Sequence, residues 1–129
     1  QRPLKTRHFL IIKNPQKQIL LVRRPPTGIW GGLWSLPELE DDLQLDSYLQ
    51  TNYQLSIQQK EVWPMLKHQF SHFELRIIPI FVQVEYVPTM IKEMASEAMV
   101  WYNTRHSPPG GLPAPVAKLL HSYRQQHNA

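Results

Sequence analysis

Two short runs of apolar residues near the start of the chain predict a β-hairpin. Arg7 to Lys13 (RHFLIIK) and Gln18 to Arg24 (QILLVRR) are rich in the aliphatic residues that favour extended strands. Residues 14–17 (NPQK) join them, and a short polar link that contains proline is typical of a turn. The Pro- and Gly-rich segment Pro25 to Gly32 then predicts a loop, and LWSLPE at 33–38 predicts a short strand.

Two segments carry the spacing of an amphipathic helix. The first begins at Asp41 or Asp42, because acids in a first turn complement the helix dipole. Its apolar positions then recur three and four residues apart: Leu43, Leu45, Tyr48, Leu49 and Tyr53. The second helix is VAKLLHSYRQQ at 116–126, opened by Pro113 and Pro115, since a proline in the first turn costs no hydrogen bond.

Two longer strand-like runs occupy the middle of the chain. They are Glu61 to Phe70 and Phe73 to Tyr86, with a link of two residues between them. The second run is apolar on both faces around Ile77 to Val82, which predicts a central position in the sheet. Pro79 is compatible with that position only if its missing N–H faces a bulge or an unpaired site.

The order of these elements predicts a mixed β-sheet flanked by helices, of the α/β (α+β) class. A less definite stretch at 87–98 and a strand at 99–102 (MVWY) complete the order β-β-β-α-β-β-(α)-β-α. A chain of 129 residues can bury one core and is short for two. We therefore expect a single domain over residues 1–129.

Composition excludes several classes of protein. Hydrophobic residues make up 42% of the chain, and no apolar run is long enough to span a membrane. The chain has no cysteine, so it offers neither disulfides nor a thiolate metal site. We expect an intracellular location, cytoplasmic in a bacterium. The first residue is Gln1 rather than Met, which is consistent with a piece of a longer protein.

The net charge of +4 is unevenly distributed along the chain. Gln1 to Arg24 carries seven Lys or Arg and no acid, whereas Glu38 to Asp46 carries five acids and no base. A basic face attracts phosphate backbones, although a solvated basic surface explains the same pattern. The candidate phosphate partners are Lys13, Arg23, Arg24 and Lys67.

Part of a metal-dependent phosphohydrolase motif follows the Pro/Gly loop. Gly32 and Glu38 have the spacing of the first glycine and glutamate of a Nudix hydrolase box, whose carboxylates hold Mg²⁺ against a diphosphate. The remaining positions of the box carry residues of other types: Asp46 and Ser47, Gln50 and Thr51, and Tyr53. The box is degenerate, and we predict neither a catalytic residue nor a metal site. His68 and His72 have zinc-ligand spacing only if they lie on a helix.

Four blocks of the sequence closely resemble the C-terminal domain of MutY-type adenine DNA glycosylases. They are RPPTGIWGGLWSLPE (24–38), HQFSHFELRIIPI (68–80), VWYN (100–103) and GLPAPVAKLL (111–120). The resemblance implies a Nudix-like fold, related to MutT, that recognises 8-oxoguanine opposite adenine and is not itself an enzyme. It implies that a separate N-terminal helix-hairpin-helix domain, with a [4Fe–4S] cluster, excises the adenine as a DNA N-glycosylase. No cofactor is expected in this chain.

The resemblance also implies a recognition site. In the family a Phe-Ser-His turn contacts the damaged base, and here these residues are Phe70, Ser71 and His72. A serine hydroxyl can accept the N7–H of 8-oxoguanine and donate to its O8. Phe70 would supply an apolar contact and His72 a donor. From the residues alone, without the resemblance, Ser71 would be an ordinary turn residue and Phe70 a core residue.

The implied partners are duplex DNA with an 8-oxoguanine·adenine mispair and the N-terminal catalytic domain of the same protein, with no membrane partner and a monomeric state. Two alternatives stay open on the sequence. One is residual Nudix-type hydrolysis of oxidised nucleotides, and the other is a protein-interaction module that uses exposed aromatic and acidic residues.

Overall fold

One mixed β-sheet carries helices on both faces. The computed structural model describes residues 3–85 and 98–127, and within them the sheet has eight strands. The strands are β1 (Leu4–Lys13), β2 (Ile19–Arg23), β3 (Trp34–Ser35), β4 (Glu38–Leu39), β5 (Ile57–Val62), β6 (Leu66–Gln69), β7 (Glu74–Val84) and β8 (Met99–Tyr102). The α-helices are α1 (Leu45–Tyr53) and α2 (Ala114–His127), and a 3₁₀ turn (Asp42–Gln44) leads into α1.

Strand β7 lies at the centre of the sheet, as its two apolar faces predict. It pairs in parallel with β1, from Leu4 opposite Glu74 to Lys13 opposite Gln83. On its other side it pairs antiparallel with β5 and β6. The predicted hairpin of β1 and β2 is also confirmed, since the two strands pair antiparallel. The predicted mixed sheet with flanking helices is therefore correct.

The strand predicted over Glu61 to Phe70 is wrong in its extent. Strand β5 already begins at Ile57 and ends at Val62, and β6 begins only at Leu66. Pro64 lies in the break, where a residue without an N–H cannot continue a ladder. The break also accommodates Pro79: its carbonyl accepts a hydrogen bond from Trp63 N at 2.9 Å. The backbone N and O atoms of one strand residue point to the same side of the strand. The nitrogen of Pro79 therefore also faces the break between β5 and β6, where no N–H is needed.

The first predicted helix is correct in position but wrong at Leu43. Leu45 and Leu49 are buried, whereas Leu43 is 88% exposed. Leu43 lies in the 3₁₀ turn, whose tighter winding rotates it off the face that α1 buries. Asp41 caps this turn, since its carboxylate accepts from Leu43 N at 2.9 Å. Asp41 therefore acts as the N-cap of this helical segment.

The single short strand predicted over 33–38 is divided in the structure. β3 pairs with β2, and β4, which ends at Leu39, pairs with β1. Strand β8 is confirmed, and α2 begins with Pro115 in its first turn while Ala117 N donates to Pro113 O at 3.0 Å. The less definite stretch at 87–98 lies outside the described residues except for Ala98. Neither α1 nor α2 has the length and apolar character needed to cross a bilayer.

The sheet separates two clusters of buried apolar side chains. The face under α2 buries Phe9, Ile11, Ile77, Phe81, Val116, Leu119 and Tyr123, among others. The face under α1 buries Leu10, Ile12, Leu45, Leu49, Ile80 and Val82, among others. Alternate residues of β1 and β7 enter opposite clusters, which explains why these strands are apolar on both faces.

An aromatic stack at the end of α2 makes stability depend on pH. His127 lies against Phe81 and Tyr123, with ring centroids 4.6 and 4.8 Å away. Burial lowers the pKa of His127, Lys13 lowers it further and Glu61 opposes the change. The unfolded chain therefore binds the proton more readily. The stabilising contribution is complete above the ordinary histidine pKa of 6.5 and is lost as the pH falls through the lowered value.

We expect His127→Phe to flatten the acid side of the stability profile. Phenylalanine keeps the stacked ring and removes the titrating group. The melting temperature of the variant should fall less than that of the original chain between about pH 8 and about pH 5. His121→Gln, at an exposed position of the same helix, is the matched control and should follow the original profile. Parallel profiles for His127→Phe and the original chain would contradict the assignment.

Candidate nucleic-acid interface

The turn between β6 and β7 presents two polar side chains to solvent. Strand β6 ends at Gln69 and β7 begins at Glu74. Phe70 N donates to Phe73 O at 2.8 Å, which closes the turn. Ser71 and His72 are exposed at its tip, and Phe70 is partly buried below them. The structure therefore brings Phe70, Ser71 and His72 together at the surface.

An aromatic cluster supports this turn from the protein side. Phe70 stacks on Phe73 with centroids 4.7 Å apart and an interplanar angle of 25°. His68 meets Phe70 edge-on at 4.8 Å, and Trp30 lies 5.3 Å from Phe70 and 5.5 Å from His68. Phe9 links the cluster to the core through an edge contact with Trp30 at 6.5 Å. Phe70 therefore belongs to the base of the turn rather than to its tip.

A cleft of about 600 Å³ opens beside the turn. Its walls combine aromatic and charged side chains from β1, β4, the turn and residues 24–30, among them Lys5, Arg7, Arg24, Trp30, Glu38 and Phe73. Lys5 Nζ lies over the Phe73 ring, 4.7 Å from its centroid, and the Arg24 guanidinium lies 5.8 Å from the Trp30 centroid. Both cations thus face aromatic rings.

Ion pairs connect the charged residues of this cleft. Glu38 accepts from the Arg24 guanidinium and lies 3.5 Å from Arg7 Nε. Arg7 also reaches Glu40, with 3.0 Å between Nη1 and the carboxylate. The Glu38 side chain is 15% exposed, whereas that of Glu40 is 86% exposed. Glu38 therefore holds two arginines together in a partly buried position.

This pairing does not fit the metal of a Nudix hydrolase. Glu38 is committed to Arg7 and Arg24, and the later box positions on α1 carry neutral oxygens at Gln50 and Thr51. Over residues 3–85 and 98–127, no group of three or more His, Cys, Asp or Glu side chains is arranged to hold an ion. His68, one of the two histidines with zinc-like spacing, lies on strand β6 against Trp30.

The candidate phosphate partners lie at different distances from the turn. Lys67 is in β6, opposite Arg76 and close to the tip. Arg24 is engaged with Glu38, and Arg23 Nε donates to Gly32 O at 3.1 Å. Lys13 is at the far end of β1, about 30 Å from the β7 end that joins the turn. Of the four, Lys67 lies in the strand that leads into the turn, and Lys5, which the sequence did not single out, lies over Phe73 from β1.

Comparison with known proteins assigns the family. The NUDIX domain model matches residues 8–122, which is most of the chain. The protein belongs to the NUDIX domain family. This NUDIX domain is also 29% identical over 123 residues to the adenine DNA glycosylase of Buchnera aphidicola subsp. Acyrthosiphon pisum, covering 95% of the chain and 34% of that protein. The adenine DNA glycosylase of Buchnera aphidicola subsp. Schizaphis graminum is 28% identical over 117 residues, and the match covers 90% of the chain and 33% of that protein.

Solved structures confirm the fold. The C-terminal domain of mouse MUTYH, determined in complex with human PCNA, superimposes with a TM-score of 0.75 and 16% identity, covering 96% of this chain and 90% of that one. The MutT protein of Methanosarcina mazei Go1 superimposes with a TM-score of 0.67 and 13% identity, and the match covers 100% of this chain and 99% of that one. The resemblance to the C-terminal domain of MutY-type glycosylases is thus confirmed. The NUDIX domain spans about a third of the length of its curated relatives.

Proposed function

We propose that this NUDIX domain recognises 8-oxoguanine opposite adenine in duplex DNA, as one part of an adenine DNA glycosylase. The observation that carries the proposal is the exposed tip of Ser71 and His72 above a stacked aromatic base. A tip between two paired strands projects beyond the sheet, where a duplex can approach it. The identity with adenine DNA glycosylases over nearly the whole chain supports the same assignment.

The hydroxyl of Ser71 suits the chemical difference between guanine and its oxidised form. Guanine has an acceptor at N7, whereas 8-oxoguanine has an N7–H donor and an additional O8 acceptor. One hydroxyl can accept from N7–H and donate to O8, so it favours the oxidised base on both counts. His72 stands beside it and can donate to a base edge or a phosphate. The base is recognised in place within the stack.

Excision of the partner adenine belongs to another part of the longer protein. Glycosylases take their target base out of the helix before cleaving it. The domain described here holds the strand with 8-oxoguanine while a catalytic domain takes up the flipped adenine. The [4Fe–4S] cluster is assigned to that domain, since this chain has no cysteine, and the hydrolase activity is assigned there together with the excision step. The isolated domain is non-catalytic and binds DNA weakly, because a net charge of +4 neutralises few phosphates.

Ser71→Ala should remove the preference for the oxidised base. We expect the ratio of affinities for duplexes with 8-oxoguanine·adenine and guanine·adenine to fall by roughly 5- to 100-fold, the worth of one bidentate base contact. Affinity for the guanine·adenine duplex should change little. Fluorescence anisotropy at low ionic strength with the two labelled duplexes measures both constants.

Ser47→Ala is the matched control, because Ser47 is exposed on α1 and α1 covers another part of the sheet. It should leave both affinities unchanged. An equal loss on the two duplexes for Ser71→Ala would mean that Ser71 contacts DNA without distinguishing the base, and the proposed recognition would be wrong.

A further inference from the structure

We infer that Trp30 is a positioning residue that determines where the Phe70–Phe73 turn sits, and so determines selectivity at Ser71. The inference rests on the proposed function, because selectivity is the property that a misplaced turn would lose. Trp30 itself is partly buried and lies below the turn. Trp30 therefore affects selectivity indirectly, through its ring contacts with Phe70 and His68.

Trp30 connects the turn to the core through aromatic contacts. Its ring lies 5.3 Å from Phe70 and 5.5 Å from His68, and it meets Phe9 edge-on at 6.5 Å. Phe9 is completely buried. His68 belongs to the strand that enters the turn and Phe70 to the turn itself. A single side chain therefore holds both against a fixed point in the sheet.

The loop that carries Trp30 is rigid enough to act as a brace. Its backbone bonds run from Gly32 N to Pro25 O at 2.9 Å and from Leu33 N to Trp30 O at 3.1 Å. A Cβ on Gly31 would lie 2.5 Å from the carbonyl oxygen of Pro26, so the chain passes itself at a separation that only glycine permits. The loop is thus tightly closed around residue 30.

The backbone of Trp30 is in a conformation that side chains rarely adopt. Its φ is +55°, in the left-handed region that disfavours residues with a Cβ. Such a conformation persists only where the surrounding structure determines it. Arg24 supplies part of that determination, since its Nε donates to Ile29 O at 3.1 Å and its guanidinium lies over the Trp30 ring. The strained backbone at Trp30 therefore places this ring against the turn.

Placement of this kind matters for a contact that depends on geometry. Recognition groups must be held within about 0.5 Å of their productive position by the residues behind them. Without Trp30, the turn would lose the ring contacts that connect Phe70 and His68 to the core. Ser71 would then sample positions in which its hydroxyl cannot meet N7–H and O8 together.

The test compares Trp30→Leu with Trp30→Phe and with Trp101→Leu. Leucine has the same backbone cost at a positive φ as tryptophan, so Trp30→Leu removes the ring and its contacts, including the one with Arg24, without adding backbone strain. Phenylalanine retains a ring and should restore much of the effect. Trp101 is partly buried under α1, on the opposite face of the sheet, and is the matched control.

Amide hydrogen exchange of the 129-residue chain is the first measurement. The Phe70 amide, bonded to Phe73 O, should exchange about tenfold faster in Trp30→Leu, while amides in β7 keep their protection. Trp101→Leu should leave the Phe70 amide unchanged. Unchanged exchange at Phe70 in Trp30→Leu would overturn the inference without any reference to DNA.

Binding to the two duplexes is the second measurement. In Trp30→Leu the preference for 8-oxoguanine·adenine should fall about fivefold or more. A retained preference, combined with a loss in Ser71→Ala, would overturn the role of Trp30 and leave the proposed function intact. If Ser71→Ala also retained the preference, or if the original chain had none, the proposed function itself would fail, and the exchange result would still decide whether Trp30 positions the turn.

Discussion

Glu38→Ala should destabilise the domain by about 2–3 kcal/mol, somewhat less than the loss of one partner from a wholly buried ion pair. The reason is the position of its carboxylate between Arg24 and Arg7. Without it, the Arg24 guanidinium loses its carboxylate partner in a partly buried site, and Arg7 retains the exposed Glu40. Urea denaturation of the 129-residue chain, followed by circular dichroism, measures the loss.

Glu40→Ala is the matched control for that experiment. Glu40 also pairs with Arg7, at 3.0 Å, but its side chain is 86% exposed. An exposed pair of this kind is worth less than about 1 kcal/mol. Equal effects of the two substitutions would show that burial of Glu38 is not what gives the pair its strength.

The same residue separates the proposed function from residual hydrolysis. Turnover of an oxidised nucleoside triphosphate with Mg²⁺, abolished by Glu38→Gln, would mean that the carboxylate leaves its arginines to serve a metal. The hydrolase hypothesis would then replace the ion-pair assignment.

Phe81→Ala should be the most damaging substitution, with a loss of about 3–5 kcal/mol. The Phe81 side chain is 4% exposed and lies in the central strand. Its ring stacks at 5.9 Å on Trp63, 6.0 Å on Tyr123 and 4.6 Å on His127. Truncation leaves a cavity bounded by one ring from the break between β5 and β6 and two rings from α2, which cannot all move to fill it. The free energy of unfolding in urea is again the measurement.

Val62→Ala is the control for Phe81→Ala, because Val62 is an apolar residue on the neighbouring strand β5. Val62 is 59% exposed, so its loss should change stability by only about 0.5 kcal/mol. Phe81 lies far along β7 from the turn, so the fraction of Phe81→Ala that remains folded should keep its preference between duplexes. A change of preference without a change of stability would contradict this separation of roles.

Local pattern predicted the elements that depend on neighbours in sequence. The hairpin of β1 and β2, the position of α2 and the central place of β7 all follow from runs of residues that carry their own signal. The split between β5 and β6 was missed because β5 is almost entirely exposed and has no apolar alternation. Leu43 was misplaced because a 3₁₀ turn and an α-helix cannot be told apart over three residues.

Long-range contacts could not be predicted from the pattern. The tip residues Ser71 and His72 lie where the two strand-like runs meet, so their position was predictable, whereas their proposed role rests on the family resemblance. The contact of Trp30 with Phe70 joins residues forty positions apart, and no local signal announces it. Arg24 was considered a partner for phosphate, and the pairing with Glu38 became visible only in three dimensions.

The parallel pairing of β1 with β7 determines which end of the chain is suitable for attachment. Pro3 O accepts a hydrogen bond from Glu74 N at 2.9 Å, so the beginning of β1 lies next to the last residue of the turn. His127, which packs on Phe81, lies some 23 Å further along β7. A fluorophore, affinity handle or sensor surface joined ahead of Pro3 would lie close to Ser71 and His72, on the side where the proposed catalytic domain is attached. The same group joined after α2 would leave them clear, so immobilised binding measurements should use that end.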